Sequence, residues 1–322
     1  MRGGLMRILF TGASSFTGYW FVKELVQAGH EVICTFRASR DSYQGARRHR
    51  VESICALCET VFDVVFGTEA FLQVVQKGQR WDLLCHHAAD VTNYKSPDFD
   101  VAAALQSNTR GLPKLLEILK NSGCHRVLLT DSVFEQGEGV GGDGLRAFSP
   151  YGLSKGLTAQ VFRYYAHQAQ MKLGNFIIPN PFGPYEEMRF TSYIAQSWLH
   201  QKIPVVATPS YIRDNIHVSL LAKCYSAFAS QLTSEMGSER CAPSGYAESQ
   251  GAFTTRFASA MRPRLQLPCE FQLLQQKEFP EPMVRLNTDV VIPEVFGWNE
   301  SQAWDELADY YQHAFQEAVK VL

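Results

Sequence analysis

Tyr151 and Lys155 are spaced so that, on a helix, both side chains project from one face. The chemistry open to such a pair is proton transfer. A free phenol titrates near pH ~10 and is a poor acid or base at neutrality, but a neighbouring ammonium stabilises the phenolate and lowers that value. Tyr and Lys at this spacing also occur on ordinary surface helices, so the pair gains meaning only from the elements that position it. Upstream, His125–Ser132 reads as a buried strand that turns polar at its carboxyl end, through Thr130, Asp131 and Ser132. In open α/β sheets ligands bind at that end of the strands.

The chain opens with a second chemical device. Arg7–Phe10 is a short apolar strand, and a helical pattern with Phe21, Val22, Leu25 and Val26 on one side follows Gly18. Between them lies Thr11-Gly12-Ala13-Ser14-Ser15-Phe16-Thr17-Gly18. Strand, glycine turn and helix together present free N–H groups and a positive dipole end to a pyrophosphate. Gly12 allows the tight turn, Gly18 lets the helix pack close to the sheet, and Ser15 is small enough to permit close approach. Gly12, Ser14, Ser15, Phe16, Thr17 and Gly18 are therefore expected cofactor contacts; the alternative is a purely structural turn.

The next strand, Gly29 to Arg37, ends in Phe36-Arg37 with Arg40 close by. An acid at this point binds the ribose hydroxyls of NAD, whereas an arginine accommodates the 2′-phosphate of NADP. NADP(H) is the favoured cofactor on this ground, with NAD(H) the alternative if Arg37 and Arg40 simply face solvent. Asp63, followed by Val64 at the end of another strand-like segment, is placed to reach an adenine amino group. Trp81–Ala89 is a fourth strand whose small Ala88 and Ala89 leave room beside a cofactor, and the helix after it carries Asn108, a further expected contact. His86 and His87 in that strand read as a packing pair rather than as acid-base catalysts.

Bulk properties narrow the class. The 322 residues suffice for one large domain or two sharing a seam, and 46% hydrophobic with 19% charged residues describes a soluble globular enzyme. A net charge of −2 offers no basic stripe, which argues against a nucleic-acid partner. No apolar run approaches the ~18 residues of a membrane span, and the N-terminus lacks a signal-peptide core. Met6 is a second plausible start, so residues 1–5 are expected to be dispensable. The cysteines at 34, 55, 58, 85, 124, 224, 241 and 269 are scattered through apolar runs and read as reduced core thiols of a cytoplasmic protein. Cys55-Ala-Leu-Cys58 has no second pair or histidine cluster to complete a metal site, so no metal is expected.

Six stretches in order make the chain resemble the extended short-chain dehydrogenase/reductase family, in its nucleotide-sugar epimerase, dehydratase and ketoreductase branch. They are Thr11-Gly12-x-x-Ser15-x-x-Gly18, Leu128–Ser132 with Gly137 beyond it, Tyr151-x-x-x-Lys155, Pro179-Asn180-Pro-Phe-Gly183-Pro184, Arg213-Asp-Asn-Ile-His217-Val, and Phe296-Gly-Trp298. The resemblance covers nearly the whole chain. It implies a Rossmann-type doubly wound parallel sheet with a smaller C-terminal α/β substrate lobe. The nucleotide domain is expected over 1–178, rejoined by about 210–246, and the lobe over 179–209 and 247–322.

By the same resemblance Ser132, Tyr151 and Lys155 are the catalytic set. Tyr151 exchanges a proton with a sugar hydroxyl or ketone, Lys155 holds the nicotinamide ribose, and Ser132 bonds the reacting oxygen. Pro179 is expected near the nicotinamide carboxamide. Asn180, Arg213 and Arg285 are expected at the diphosphate of a nucleoside-diphosphate sugar. Arg213 has an alternative as a surface ion pair with Asp214, and Ile177 stands where family members carry an arginine. Family dehydratases carry Thr-Asp-Glu where counting back from Gly137 gives Ser132, Val133 and Phe134, which sets dehydration aside. Ketoreduction, most plausibly at C4, is favoured over 4-epimerisation by Arg37; a catalytically silent NADP(H) sensor is the non-enzymatic alternative. Gly137–Gly144 is expected to form a mobile loop beside the substrate, Trp304–Leu322 an amphipathic closing helix, and the helix from Ser149 to Gln170 a homodimer contact or simple packing within the subunit.

Overall fold

The computed structural model describes residues 4–78, 80–141 and 145–316. Residues 1–3, part of the Gly137–Gly144 loop and the end of the closing helix lie outside the described residues. The strands are β1 Arg7–Thr11, β2 Glu31–Thr35, β3 Glu59–Val61, β4 Leu83–His86, β5 Arg126–Ser132, β6 Lys172–Ile178, β7 Asn180–Phe182, β8 Val205–Val206, β9 Ile212–His217, β10 Gly237–Cys241, β11 Pro243–Ser244, β12 Tyr246–Ser249, β13 Gln272–Leu273, β14 Val284–Arg285 and β15 Asp289–Val290. The helices are α1 Phe16–Gln27, α2 Gly45–Leu57, α3 Glu69–Lys77, α4 Val101–Thr109, α5 Leu112–Asn121, α6 Pro150–Gln168, α7 Phe190–Leu199, α8 Val218–Gln231, α9 Gln250–Leu265 and α10 Glu300–Gln316.

Two compact units share the chain. The first comprises 1–138, 145–178 and 222–242. Its sheet is parallel throughout, in the order β10-β6-β5-β4-β1-β2-β3, the doubly wound arrangement expected. Ile8, Leu9 and Phe10 are wholly buried because strands of such a sheet are covered on both faces, which is why β1 reads as an unbroken apolar run. On one face Leu9, Ile33, Leu84 and Leu129 pack against Phe71, Leu115 and Phe162 of α3, α5 and α6. On the other, Phe10 and Phe176 meet Phe21 and Tyr225, whose rings stack at 4.0 Å. The order reverses between β1 and β4, so the crevice where phosphate turns meet lies at the carboxyl ends of these strands.

The second unit comprises 139–144, 179–221 and 243–322. In it β9 pairs in parallel with β7 and β14 and antiparallel with β12. Phe182, Trp198, Phe253, Phe257, Trp304 and Tyr311 form its core. The segment that returns to the first unit, 222–242, is therefore narrower than the 210–246 expected, because β9 finds its partners in the second unit. The closing helix begins at Glu300, one turn before the expected Trp304.

All eight cysteines are free, with Cys34, Cys85, Cys124, Cys224 and Cys269 buried. Cys58 of the C-x-x-C faces Cys34, sulfur to sulfur at 3.6 Å, rather than Cys55. Among the described residues no helix is long and apolar enough to cross a membrane.

Candidate active site

Gly12 takes φ +84°, a conformation side chains rarely adopt, and turns the chain from β1 into α1. Ser15 closes this turn: its N–H and hydroxyl both donate to the Gly12 carbonyl, at 3.2 and 2.9 Å, and its oxygen caps α1 by accepting from Gly18 N at 3.1 Å. A Cβ on Gly18 would lie 2.3 Å from the Gly12 oxygen, so the helix start meets the turn at a distance only glycine permits. No acidic side chain occupies the first turn of α1, and its positive end is free of like-signed competition for an anion. The turn fits a dinucleotide pyrophosphate on these grounds. Arg50, buried in α2, donates from Nε to the Ser14 carbonyl at 2.9 Å and holds the turn from behind.

Arg37 and Arg40 are both exposed just past β2. Asp63 sits at φ +59°, one residue beyond the Phe62 that follows β3, and Val64 N donates to the Phe36 carbonyl at 2.9 Å. Phe62 stacks on Phe36 at 4.8 Å, so the ends of β2 and β3 are locked together.

The β4 end is polar in an organised way. His86 Nδ1 and the Thr11 hydroxyl share a hydrogen bond of 2.9 Å, and the Ala88 N–H donates to the same hydroxyl oxygen. His87 reaches Ser15 and Thr17 through Nε2 and Thr130 through Nδ1. Burial, aided by the Lys155 charge, pushes both imidazoles down to about 3. Ala88 and Ala89 are half-buried beside them. Asn108 is engaged on both ends of its amide, accepting from Asp90 N at 2.9 Å and donating to Thr158 at 3.3 Å. It ties the segment after β4 to α6.

Helix α6 starts from the Ser149 cap with Pro150 in its first turn, a combination that fixes where Tyr151 stands. The Tyr151 ring is half-buried and flanked edge-on by Tyr94 and Phe99, with centroids 5.5 and 6.0 Å away. One turn on, the buried Lys155 donates from Nζ to the Thr130 carbonyl at 2.5 Å. That carbonyl belongs to the end of β5, which also carries Ser132. The Ser132 oxygen accepts from Phe134 N at 3.2 Å, and its N–H donates to Glu135 at 2.7 Å.

Two buried acids absent from the expected site flank this strand end. Asp131 accepts from Asn175 Nδ2 through one oxygen, while the other is buried with no partner among the described residues. Burial raises Asp131 to about 6 against the opposing pull of Lys155 and Asn175. Glu135 lies well above the carboxylate range through burial and the Asp131 charge, again opposed by Lys155. The polar run at the strand end was visible in sequence; that its carboxylates turn inward was not.

In the second unit Arg213 and Arg285 are opposite one another across β9 and β14, and both are buried. Arg213 donates to the carbonyls of Ile212, Pro282 and Met283, pairs with Glu281 at 3.0 Å and lies over the Tyr211 ring. Its ionic partner is Glu281 and not Asp214, which instead accepts from the N–H groups of Gly245 and Asn287. Arg213 thus clamps the 281–283 segment, and both it and Arg285 are buried. Asn180, opposite Asn215 in the β7–β9 register, lines a cavity of about 120 Å³ with Glu186, Arg189, Phe190 and Gln250. Pro179 immediately precedes β7. The cavity also holds a carboxylate that sequence reading missed. Glu186 accepts from Thr191 and Tyr311 at 2.7 and 2.8 Å, its second oxygen has no partner among the described residues, and burial raises it to about 7.

The model of the NAD dependent epimerase/dehydratase family matches residues 8–238. No individual curated protein matches the chain by sequence. Among solved structures, the UDP-glucose 4-epimerase of Stenotrophomonas maltophila, with bound NAD and formylated UDP-arabinopyranose, superposes with a TM-score of 0.73 at 17% identity, covering 98% of this chain and 100% of that one. The Thermotoga maritima UDP-glucose 4-epimerase with UDP-glucose gives 0.72 at 17% identity over 96% and 99% of the two chains. The dTDP-glucose 4,6-dehydratase DesIV of Streptomyces venezuelae, with NAD and TYD, gives 0.70 at 15% over 96% and 97%. At these identities the likeness is one of fold.

Proposed function

The chain belongs to the NAD dependent epimerase/dehydratase family, and we propose that it is an NADP(H)-dependent oxidoreductase reducing a keto group, at C4, of a nucleoside-diphosphate sugar. The observation that carries this reading is the anchoring of Lys155 to the Thr130 carbonyl, which sets the Tyr151–Lys155 pair at the carboxyl end of β5, in the unit that also holds the glycine turn. When bound, the nicotinamide supplies or takes up hydride.

The protein's own part is to hold the cofactor and move a proton. Gly12, Ser14, Ser15, Phe16, Thr17 and Gly18 would take the pyrophosphate, with Asp63, Val64, Ala88 and Ala89 beside the remainder and Pro179 at the nicotinamide end. Tyr151 gives its phenolic proton to the oxygen that gains charge as the carbonyl is reduced, Lys155 favours the phenolate left behind, and Ser132 donates to the same oxygen. In the second unit, Asn180 and the polar cavity beside it suit the sugar nucleotide. The exposed Arg37 and Arg40 past β2 support NADP(H), since their guanidinium groups are available to a 2′-phosphate.

A second reading, 4-epimerisation with a retained NAD, draws support from the solved epimerases of similar fold. The two readings separate in one assay. Oxidation of NADPH by a 4-keto-6-deoxy sugar nucleotide supports reduction. Interconversion of two sugar nucleotides without net change in cofactor absorbance supports epimerisation, and binding without turnover of either kind leaves only the sensor role.

A further inference from the structure

His87 bridges two parts of the first unit that the proposed chemistry uses separately. Its Nε2 lies 2.9 Å from Ser15 Oγ and 3.1 Å from Thr17 Oγ1 in the glycine turn, and its Nδ1 lies 3.0 Å from Thr130 Oγ1 on β5. The ring is wedged there by aromatic neighbours, Phe10 at 5.9 Å and Phe21 at 5.2 Å, and its Cδ2 would be 2.9 Å from a Cβ on Gly18.

The direction of each hydrogen bond follows from one carbonyl. The Gly12 oxygen can only accept, so the Ser15 hydroxyl spends its single hydrogen there, and the Ser15 oxygen already accepts from Gly18 N. His87 must then donate to Ser15, which places its proton on Nε2 and leaves Nδ1 to accept from the Thr130 hydroxyl. The same Nε2–H faces the Thr17 oxygen, so that hydroxyl accepts from the ring and keeps its own hydrogen to give elsewhere. Thr17 is half-buried in the first turn of α1, at the end where an anion is favoured.

We infer that His87 is a positioning residue that fixes the Thr17 hydroxyl as an outward donor to the cofactor's pyrophosphate. The inference rests on the dinucleotide reading given above. A leucine of similar bulk would keep the packing against Phe10 and Phe21 and remove the donor. A glutamine can return an N–H near the position of Nε2.

The test is titration of wild type, His87→Leu, His87→Gln, Thr17→Val and the double variant of His87→Leu with Thr17→Val against ADP-ribose, a probe that has the pyrophosphate and lacks the nicotinamide, alongside thermal unfolding of each protein without ligand. His87→Leu and Thr17→Val should each weaken ADP-ribose about tenfold, the loss of one hydrogen bond to a charged acceptor. The double variant should be no weaker than either single one, His87→Gln should bind within about twofold of wild type, and ligand-free melting should stay close to wild type for Gln and Thr17→Val. Wild-type affinity in His87→Leu, additive losses in the double variant, or equal losses in Leu and Gln would overturn the positioning role while leaving the dinucleotide site standing. A wild type that binds neither ADP-ribose nor NADPH overturns the dinucleotide reading itself.

Discussion

Lys155 reaches across from α6 and donates to the main-chain carbonyl of Thr130 at 2.5 Å. The bond fixes a buried ammonium next to a strand end rich in carboxyl groups, and both Asp131 and Glu135 are held lower by its charge than burial alone would leave them. Replacing Lys155 by Met should therefore do two things at once. It removes a charged donor from a buried carbonyl, a loss of about 1.5–3 kcal/mol, and it leaves the acids without their cation. Urea unfolding at pH 7 should show that loss, and a variant as stable as wild type would disprove the anchoring.

Replacing Tyr151 by Phe should separate chemistry from binding. The ring stays between Tyr94 and Phe99, so packing is kept, while the proton the mechanism moves is gone. Turnover should fall about 10²–10⁴-fold, the usual contribution of a positioned general acid. Affinity for NADPH, measured by its fluorescence, should change little. An unaffected rate removes the mechanism.

The glycine turn gives a steric prediction. A Cβ on Gly12 would sit 2.6 Å from Ala88 N and 2.8 Å from the His87 carbonyl carbon, and the +84° φ would be strained besides. Gly12→Ala should lose about 1–3 kcal/mol of stability to strain alone. The thermal shift produced by saturating NADPH should shrink with it, because the turn proposed to take the pyrophosphate has moved. A variant with wild-type melting and an undiminished NADPH shift would show that this turn tolerates a side chain and is not the site.

Local chemistry made the glycine turn, the first helix and the Tyr151–Lys155 pair readable from the chain itself. Gly12, Ser15 and Gly18 act within a few residues of one another, and the apolar face of α1 needs nothing distant to be read. What stayed hidden depends on partners far away in sequence. The partners of Arg213, Glu281 and the carbonyls of Pro282 and Met283, could not be read from its own neighbourhood. Arg50 went unread because its partner, the Ser14 carbonyl, is distant in sequence. Asp131 stands in the polar run at the end of β5 and Glu135 just past it, and only packing against elements distant in sequence, Asn175 on β6 among them, decides that they are buried. His87 belongs to the same class, since its two nitrogens are assigned by groups on β1, α1 and β5 that only the folded sheet brings together.

Cofactor choice can be tested at the end of β2. Arg37 and Arg40 are exposed, so replacing both by Ala costs no buried contact. If they take a 2′-phosphate, NADPH affinity should fall about tenfold or more, the strength of a charge-assisted pair, while NADH affinity stays level. The NADPH loss should also diminish in high salt, because exposed ion pairs are screened. Equal affinities for the two cofactors in wild type would shift the reading to NAD and, with it, toward epimerisation.

Glu186 offers a pH test confined to the second unit. Its carboxyl is raised from 4.5 to about 7 by burial, so between those values the folded protein holds a proton that the unfolded chain has released. Stability is therefore greatest below about pH 4.5 as far as this group is concerned, and it declines as pH rises through 7, where the buried carboxylate becomes charged. Over the full interval the change is on the order of 3 kcal/mol. Glu186→Gln cannot ionise, keeps an oxygen to accept from Thr191 and Tyr311, and places an amide where the carboxylate oxygen lacks a partner. The variant should accordingly be more stable than wild type at pH 8 and no more stable at pH 4, a crossing that denaturant curves at the two pH values will show. Parallel curves across that range would mean that the Glu186 carboxyl titrates alike in the folded and unfolded protein and that the cavity beside Asn180 is wetter than its lining indicates.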